Sequence, residues 1–298
     1  MKILNSLVRN AKRVLTGGPD QRQLLRRKAI YRLVATQSTL VGVKTPYGHF
    51  VLDSTDRGVA ETLYSFRGND DNAVLETAVA TARSHGKLNC DLTSSIFVDV
   101  GANIGTTTVP AITSLGFGNA IAFEPAPQNL RLLRANLALN DLSEKVTTVA
   151  AAAGVEHTTM TLWLGDENHG DHRLWHRDDL RLQTMSQSVE VRVAPLDDLV
   201  TREIGLVWID TQGFEGFVLA GAPRIRSSGT PIVTEFWPDG MKASSSWEQY
   251  ASIVKDASYL QDLRTGVEYH RPTSAVLETL SRTYAGIDVY TDLLMWFA

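Results

Sequence analysis

The sequence predicts an α/β protein, a doubly wound and mostly parallel Rossmann-like sheet preceded by a helical arm and a hairpin. Three observations point there. Short apolar runs ("SIFVDVG", "AIAFEP", "LVWIDTQ", "TPIVTEFWP") recur with helical segments between them, as expected of parallel strands covered on both faces. The first run leads into "FVDVGANIG", residues 97 to 105, a carboxylate and two glycines at the kind of strand-to-helix turn where such sheets hold ligands. The second run ends in Glu124, a strand-end acid placed to receive a ribose.

The chain is 298 residues long with 43% hydrophobic and 21% charged residues, enough to bury a sizeable core. A net charge of -4 gives no reason to expect nucleic acid as a partner. Cys90, the single cysteine, excludes an internal disulfide framework and a multi-cysteine zinc site; it has no activating neighbour and reads as inert. No apolar run is long enough to span a bilayer, and the first residues lack the pattern of a secretory signal, so a cytoplasmic protein is expected.

Charge is lopsided at the start. Lys2, Arg9, Lys12, Arg13, Arg22, Arg26, Arg27, Lys28 and Arg32 face only Asp20. Residues 1–35 read as a basic arm, a solvated cap or dimer contact that could also touch a membrane surface. Residues 36–94 read as a hairpin around Thr45-Pro46-Tyr47-Gly48 and a helix from Asn72 to Ser84, packed on the core. Residues 95–298 read as the ligand-binding domain. There "GTTTVPAITSLG" is a helix delayed or kinked by Pro110, and "PQNLRLLRANLALN" is a helix with Pro127 in its first turn. "VTTVAAAAG" reads as a third strand, "TMTLWLG" and "SVEVRVAPLDDL" as antiparallel pieces, "FEGFVLAGAPRIRSSG" as a helix, and "TDLLMWFA" as a late strand.

The glycine loop discriminates between ligands. A dinucleotide fingerprint asks for G-x-G-x-x-G, yet counting from Gly101 puts Asn103 and Thr106 at the second and third glycine positions. Asp99 just ahead of the turn repels phosphate and welcomes a cationic amino-acid tail. S-adenosylmethionine is such a ligand. A nicotinamide-dependent oxidoreductase and a non-catalytic binding module are the alternatives.

Taken in order and at their intervals, "FVDVGANIG", "AFEPAPQNLRLLRANLALN", "PLDDL" and "LVWIDTQGFEGFVLAGA" resemble the FkbM-type methyltransferases. The resemblance runs from Ser95 to Phe236, with "DRGVAETLYSFRGNDD" matching more weakly upstream. It implies the class I methyltransferase fold, S-adenosylmethionine as cofactor, and sugar, glycolipid or natural-product acceptors. It also implies that Asp99, Gly101, Asn103 and Gly105 frame the methionine portion and that Glu124 holds the ribose. Asn136 and Asn140 match polar positions of the family, although helix-end capping also suits Asn140. Thr211 stands where the family often has valine.

Methyl transfer to a hydroxyl needs an aligned acceptor and a group to take its proton. Asp210, at the end of "LVWID", Glu215, opening the next helix, and His172 are the catalytic candidates; Glu215 could equally be a first-turn acid favoured by the helix dipole. His169 and Glu235 are the acceptor-binding candidates. His169, Asp171 and His172 form only a loose ligand pattern, and no metal is expected. Trp175 and Trp237 are candidate sugar-stacking platforms, although tryptophans more often simply pack.

Overall fold

The computed structural model describes residues 21–176, 184–200, 204–286 and 289–297. Ile3, Leu4, Leu7, Val8 and Val14, the expected apolar side of the basic arm, lie outside these residues. The chain opens with helix α1 (Gln21–Val34), followed by the hairpin β1 (Leu40–Thr45) and β2 (Gly48–Asp53). Pro46 and Tyr47 form its two-residue turn, and the Thr45 hydroxyl accepts the Tyr47 and Gly48 N–H groups at 3.1 Å each. Helices α2 (Val59–Phe66) and α3 (Asp70–Ser84) follow; Asn69 caps α3 by accepting the Asp71 N–H.

The strands β3 (Ile96–Val100), β4 (Asn119–Phe123), β5 (Val146–Val149), β9 (Ile204–Ile209) and β10 (Ile232–Phe236) are parallel neighbours in one eight-stranded sheet. β11 (Tyr259–Asp262), β12 (Glu268–His270) and β13 (Thr291–Trp296) complete it in the order β12-β11-β13-β10-β9-β3-β4-β5, with β13 antiparallel to β10. The expected doubly wound, mostly parallel α/β fold is present. Every residue of β3 and β10 is buried, which explains their continuous apolar sequences.

Helix α4 (Thr108–Thr113) is short and holds Pro110 within its first turn, where a missing N–H costs little. Helix α5 (Pro127–Leu139) begins on Pro127 as its spacing suggests. The expected third strand divides. β5 stays in the large sheet, while β6 (Ala152–Gly154) joins β7 (Thr158–Leu164) and β8 (Gln187–Pro195) in a separate three-stranded sheet, order β6-β8-β7. A continuous small-residue run hides that change of partner because alanine carries no facing information. The expected helix after Phe214 also divides, into α7 (Glu215–Ala220) and α8 (Pro223–Ser227), after the single turn α6 (Leu196–Leu199). Gly221 marks the break: a Cβ there would lie 1.9 Å from the Gly154 carbonyl oxygen, and Pro223 restarts the chain. Helices α9 (Pro238–Ala243), α10 (Trp247–Val254) and α11 (Ser274–Thr283) fill the C-terminal part, which the sequence left unread.

The N-terminal elements share the core of the sheet. Val41, Phe50, Leu52, Leu63, Leu75 and Val79 form one buried cluster with Phe97, Leu130, Leu133 and Leu137. Asn136 on α5 and Asn140 at its C-terminal cap complete the open edge of β2. The Asn136 Oδ1 accepts the Val51 N–H at 2.6 Å, and its Nδ2 donates to the Val51 and Ile104 carbonyls at 3.3 and 2.9 Å. Asn140 repeats the pairing with His49, accepting its N–H at 2.8 Å and donating to its carbonyl at 2.7 Å. Two amide side chains thus act as a missing strand.

Candidate active site

A cleft enclosing about 550 Å³, open mouth included, lies beyond the carboxyl ends of β3, β4 and β9. Gly101, Asn103, Glu124, His169, His172 and Asp210 line it. Because β3 sits between β4 and β9, Glu124 and Asp210 flank Gly101 from opposite sides. Gly101 has φ +91°, and a Cβ on it would meet the Asp210 carbonyl oxygen at 1.9 Å. Only glycine lets the β3 turn close against β9 here. Asn103 is left-handed too, with φ +51°, a conformation asparagine tolerates better than most residues.

Glu124 is almost fully buried, and its two oxygens accept the Asn103 and Ala126 N–H groups at 2.8 Å each. Burial pushes its carboxyl up to about 7 against these stabilising bonds. The Asn103 and Asn129 side-chain amides both donate to the His169 carbonyl, at 3.2 and 2.9 Å, and so hold the 167–172 loop across the cleft. Asp56, from the segment before α2, accepts the His169 N–H from behind at 3.3 Å. His172 Nδ1 accepts the Gly165 N–H at 3.0 Å, which leaves the ring proton of the neutral form on Nε2 beside the Gln128 amide. Burial, with His169 nearby, lowers its pKa to about 4, so the ring is neutral near pH 7.

The other expected site residues lie off the cleft wall. Asp99 is buried within β3, and the Thr108 hydroxyl donates to its Oδ2 at 2.5 Å; burial lifts its carboxyl to about 7. Gly105, with φ +91°, shapes the turn behind the cleft, where a Cβ would press on Leu133 at 2.9 Å. Glu215 is fully buried at the start of α7, and its Oε1 accepts the Thr211 N–H, the Thr211 hydroxyl and the Gly213 N–H at 2.9, 3.0 and 3.2 Å. Glu235, at the end of β10, is buried behind Gln212.

Gln212 is the residue the sequence reading passed over. It has φ +53°, a strained conformation for glutamine, and the Trp175 indole N–H holds its carbonyl at 2.8 Å. From there its Nε2 donates to Asp210 Oδ1 at 2.7 Å and to Glu235 Oε2 at 3.1 Å, bridging two acids. Asp210 keeps partial exposure to the cleft but is packed by protein elsewhere; burial, with nearby Asp71, Glu215 and Asp292, raises it well above the carboxylate range. Glu235 is raised likewise by burial, then by Asp210. Asp71 and Asp292 come from α3 and β13, distant in sequence, and no local motif announces them.

The stacking expectation needs correction. Trp175 and Trp237 are buried and pack against each other with ring centres 5.9 Å apart, and the Arg173 guanidinium lies 4.9 and 5.0 Å from those centres. Arg173 also pairs with Asp171. The indoles are therefore covered by each other and by a cation rather than presented to a sugar. His169, Asp171 and His172 form no ligand group among the described residues; carboxylate oxygens of Asp210, Glu215 and Glu235 do come within 4.8 Å of one another.

Residues 99–260, more than half of the chain, match the model of the methyltransferase FkbM domain. No curated protein matches the sequence. Among solved structures, the chain is similar to a methyltransferase FkbM from Methylobacillus flagellatus, with 16% identity and a TM-score of 0.41, covering 92% of this chain and 60% of that one. The chain thus spans less than two thirds of that relative's length. A candidate O-methyltransferase from Klebsiella pneumoniae is similar at 12% identity and a TM-score of 0.45, covering 98% and 96%. TYW2 of Pyrococcus horikoshii, solved with MeSAdo, is similar at 14% identity and a TM-score of 0.40, covering 87% and 72%. Among the described residues no helix is long and apolar enough to cross a membrane.

Proposed function

The chain belongs to the FkbM methyltransferase family, and from that premise we propose an S-adenosylmethionine-dependent O-methyltransferase acting on a hydroxyl of a sugar, glycolipid or other natural product. The observation that carries the reading is the placement of Glu124 and Asp210 on opposite sides of Gly101 in one cleft.

The cleft suits the cofactor. Gly101 offers bare backbone where a side chain would fill the space. Each Glu124 oxygen uses one acceptor position on a backbone N–H and keeps another for a ribose hydroxyl. Phe123, Ala151, Ala152, Leu162 and Phe214 supply apolar wall for a flat base. The bound cofactor supplies a methyl group on a sulfonium.

Asp210 takes the acceptor proton in this reading. Gln212 holds its Oδ1, which leaves Oδ2 for the hydroxyl, and burial among other acids raises its affinity for the proton. His172 borders the acceptor rather than deprotonating it, because Nδ1 accepts the Gly165 N–H and Nε2 faces the Gln128 amide at 3.3 Å. His169 borders the acceptor on the loop that Asn103 and Asn129 anchor. Glu215 and Asp99 hold the 211–213 turn and the β3–α4 turn in shape. The excess of basic residues over the first 34 positions would bring the enzyme to an anionic lipid surface when the acceptor is a glycolipid.

Calorimetric titration with S-adenosylhomocysteine tests the cofactor, and transfer of labelled methyl to a panel of sugars and glycolipids tests the acceptor. Asp210→Asn should lower transfer by about 10²-fold or more while homocysteine-analogue binding stays within about twofold. Binding of NADH without binding of S-adenosylhomocysteine would overturn the reading.

A further inference from the structure

We propose that Asp210, Glu215 and Glu235 form a binding site for one divalent cation of the magnesium or manganese kind. Two independent features point to it. The first is geometric: one carboxylate oxygen from each residue lies within 4.8 Å of the others. Oxygens sharing a Mg²⁺ or Ca²⁺ ion sit about 2.0–2.6 Å from it, so they are no more than about 4–5 Å apart.

The second is an orphaned atom. Glu215 is fully buried, and three donors from the 211–213 turn saturate Oε1 and fix the carboxylate. Its Oε2 has no hydrogen-bond partner. A buried carboxylate oxygen without a donor is costly, and this one belongs to a carboxylate that stands within reach of two others. Gln212 satisfies only one oxygen each of Asp210 and Glu235.

No lysine or arginine forms an ion pair with any of the three among the described residues. The guanidinium of Arg264 pairs instead with Asp292 at 2.7 Å and Asp71 at 3.6 Å. Three hard oxygen donors, fixed by a rigid turn and lacking a cation of their own, select a hard divalent ion over zinc or copper. Asp210 borders the cleft, so the ion lies beside it. That an acceptor hydroxyl is polarised there rests on the methyltransferase reading; the binding itself does not.

Electron paramagnetic resonance of Mn²⁺ added to the full-length protein tests the site, with S-adenosylhomocysteine calorimetry on the same samples. One Mn²⁺ per chain should bind, displaceable by Mg²⁺, and raise the melting temperature as any native-state ligand does. Glu215→Gln and Glu235→Gln should each weaken binding at least about tenfold, since each removes a charged ligand, whereas Asp198→Asn on the exposed surface should leave it unchanged. Absence of Mn²⁺ uptake and of any melting shift at roughly millimolar ion, the weak end of protein cation sites, overturns the proposal. So does undiminished binding by folded Glu215→Gln and Glu235→Gln. Should either variant fail to fold, uptake and melting shift in the wild type still decide. Homocysteine-analogue binding without Mn²⁺ removes the cation alone; the converse removes the cofactor reading and leaves the cation.

Discussion

Replacing Asn136 by alanine removes the link that joins the hairpin, α5 and the glycine loop. Its amide makes three hydrogen bonds, to the Val51 N–H, the Val51 carbonyl and the Ile104 carbonyl, and the side chain is fully buried. Val51 is half-buried, so water can partly repair its two groups; Ile104 is 2% exposed, so its carbonyl stays stranded. A stranded buried group costs about 1–3 kcal/mol and a replaceable bond about 0.5–1.5 kcal/mol, which puts the total near 3 kcal/mol. Asn136→Asp should be worse near pH 7, because an ionised carboxylate turns lone pairs toward both carbonyls while keeping only the Val51 N–H bond. Urea denaturation, followed by far-ultraviolet circular dichroism, measures both, and the melting temperature should fall by roughly 5–10 °C for Asn136→Ala. A loss under about 1 kcal/mol, or an Asp variant as stable as the Ala variant, would refute the reasoning, since ordinary surface substitutions cost that little.

Four further outcomes are expected. Gly101→Ala should destabilise the fold by about 3 kcal/mol or more, because its Cβ would sit 1.9 Å from a backbone oxygen at φ +91°; a melt indistinguishable from wild type contradicts this. Glu124→Gln should weaken S-adenosylhomocysteine by about tenfold or more, since charge-assisted hydrogen bonds are worth about 1.5–3 kcal/mol; equal affinity by calorimetry would take the ribose away from Glu124. Asp99 has a folded pKa of about 7 against an ordinary 3.8, so its contribution is fully present below about pH 4 and is lost as pH rises through 7. Asp99→Asn should therefore gain stability relative to wild type on going from pH 5 to pH 8, by about 2–4 kcal/mol at one pKa unit per 1.36 kcal/mol, and a parallel pair of pH profiles would count against it. His172 runs the opposite way: with its folded pKa depressed from 6.5 to about 4, its contribution is present above 6.5 and lost as pH falls to 4, and His172→Gln should flatten that acid limb in chemical denaturation.

The strands that carry the site were legible because burial on both faces makes them continuously apolar: β3, β4, β9, β10 and β13 all stand where their runs predict. The strand-end residues Gly101, Glu124 and Asp210 were legible for the same reason, since a strand's end locates its last side chain. Less was legible where small residues carry no facing signal, as in the run that splits between β5 and β6, or where Gly221 and Pro223 interrupt a helical pattern. For Trp175 and Trp237 the choice between stacking platform and packing stayed open in the sequence because an aromatic says nothing of what covers it, here the other indole and Arg173.

By itself, then, the sequence determined the alternation of strand and helix, the turn that needs glycine, and the acids at the strand ends, because these follow from local backbone sterics and from the period of apolar residues. The tertiary structure alone decided which acids meet. Asp71, Glu215, Glu235 and Asp292 approach Asp210 from four separate elements, Gln212 joins two carboxylates through a strained backbone, and Asn136 and Asn140 substitute for a strand. Such contacts arise between residues far apart along the chain, and only the closing of the core brings them within reach.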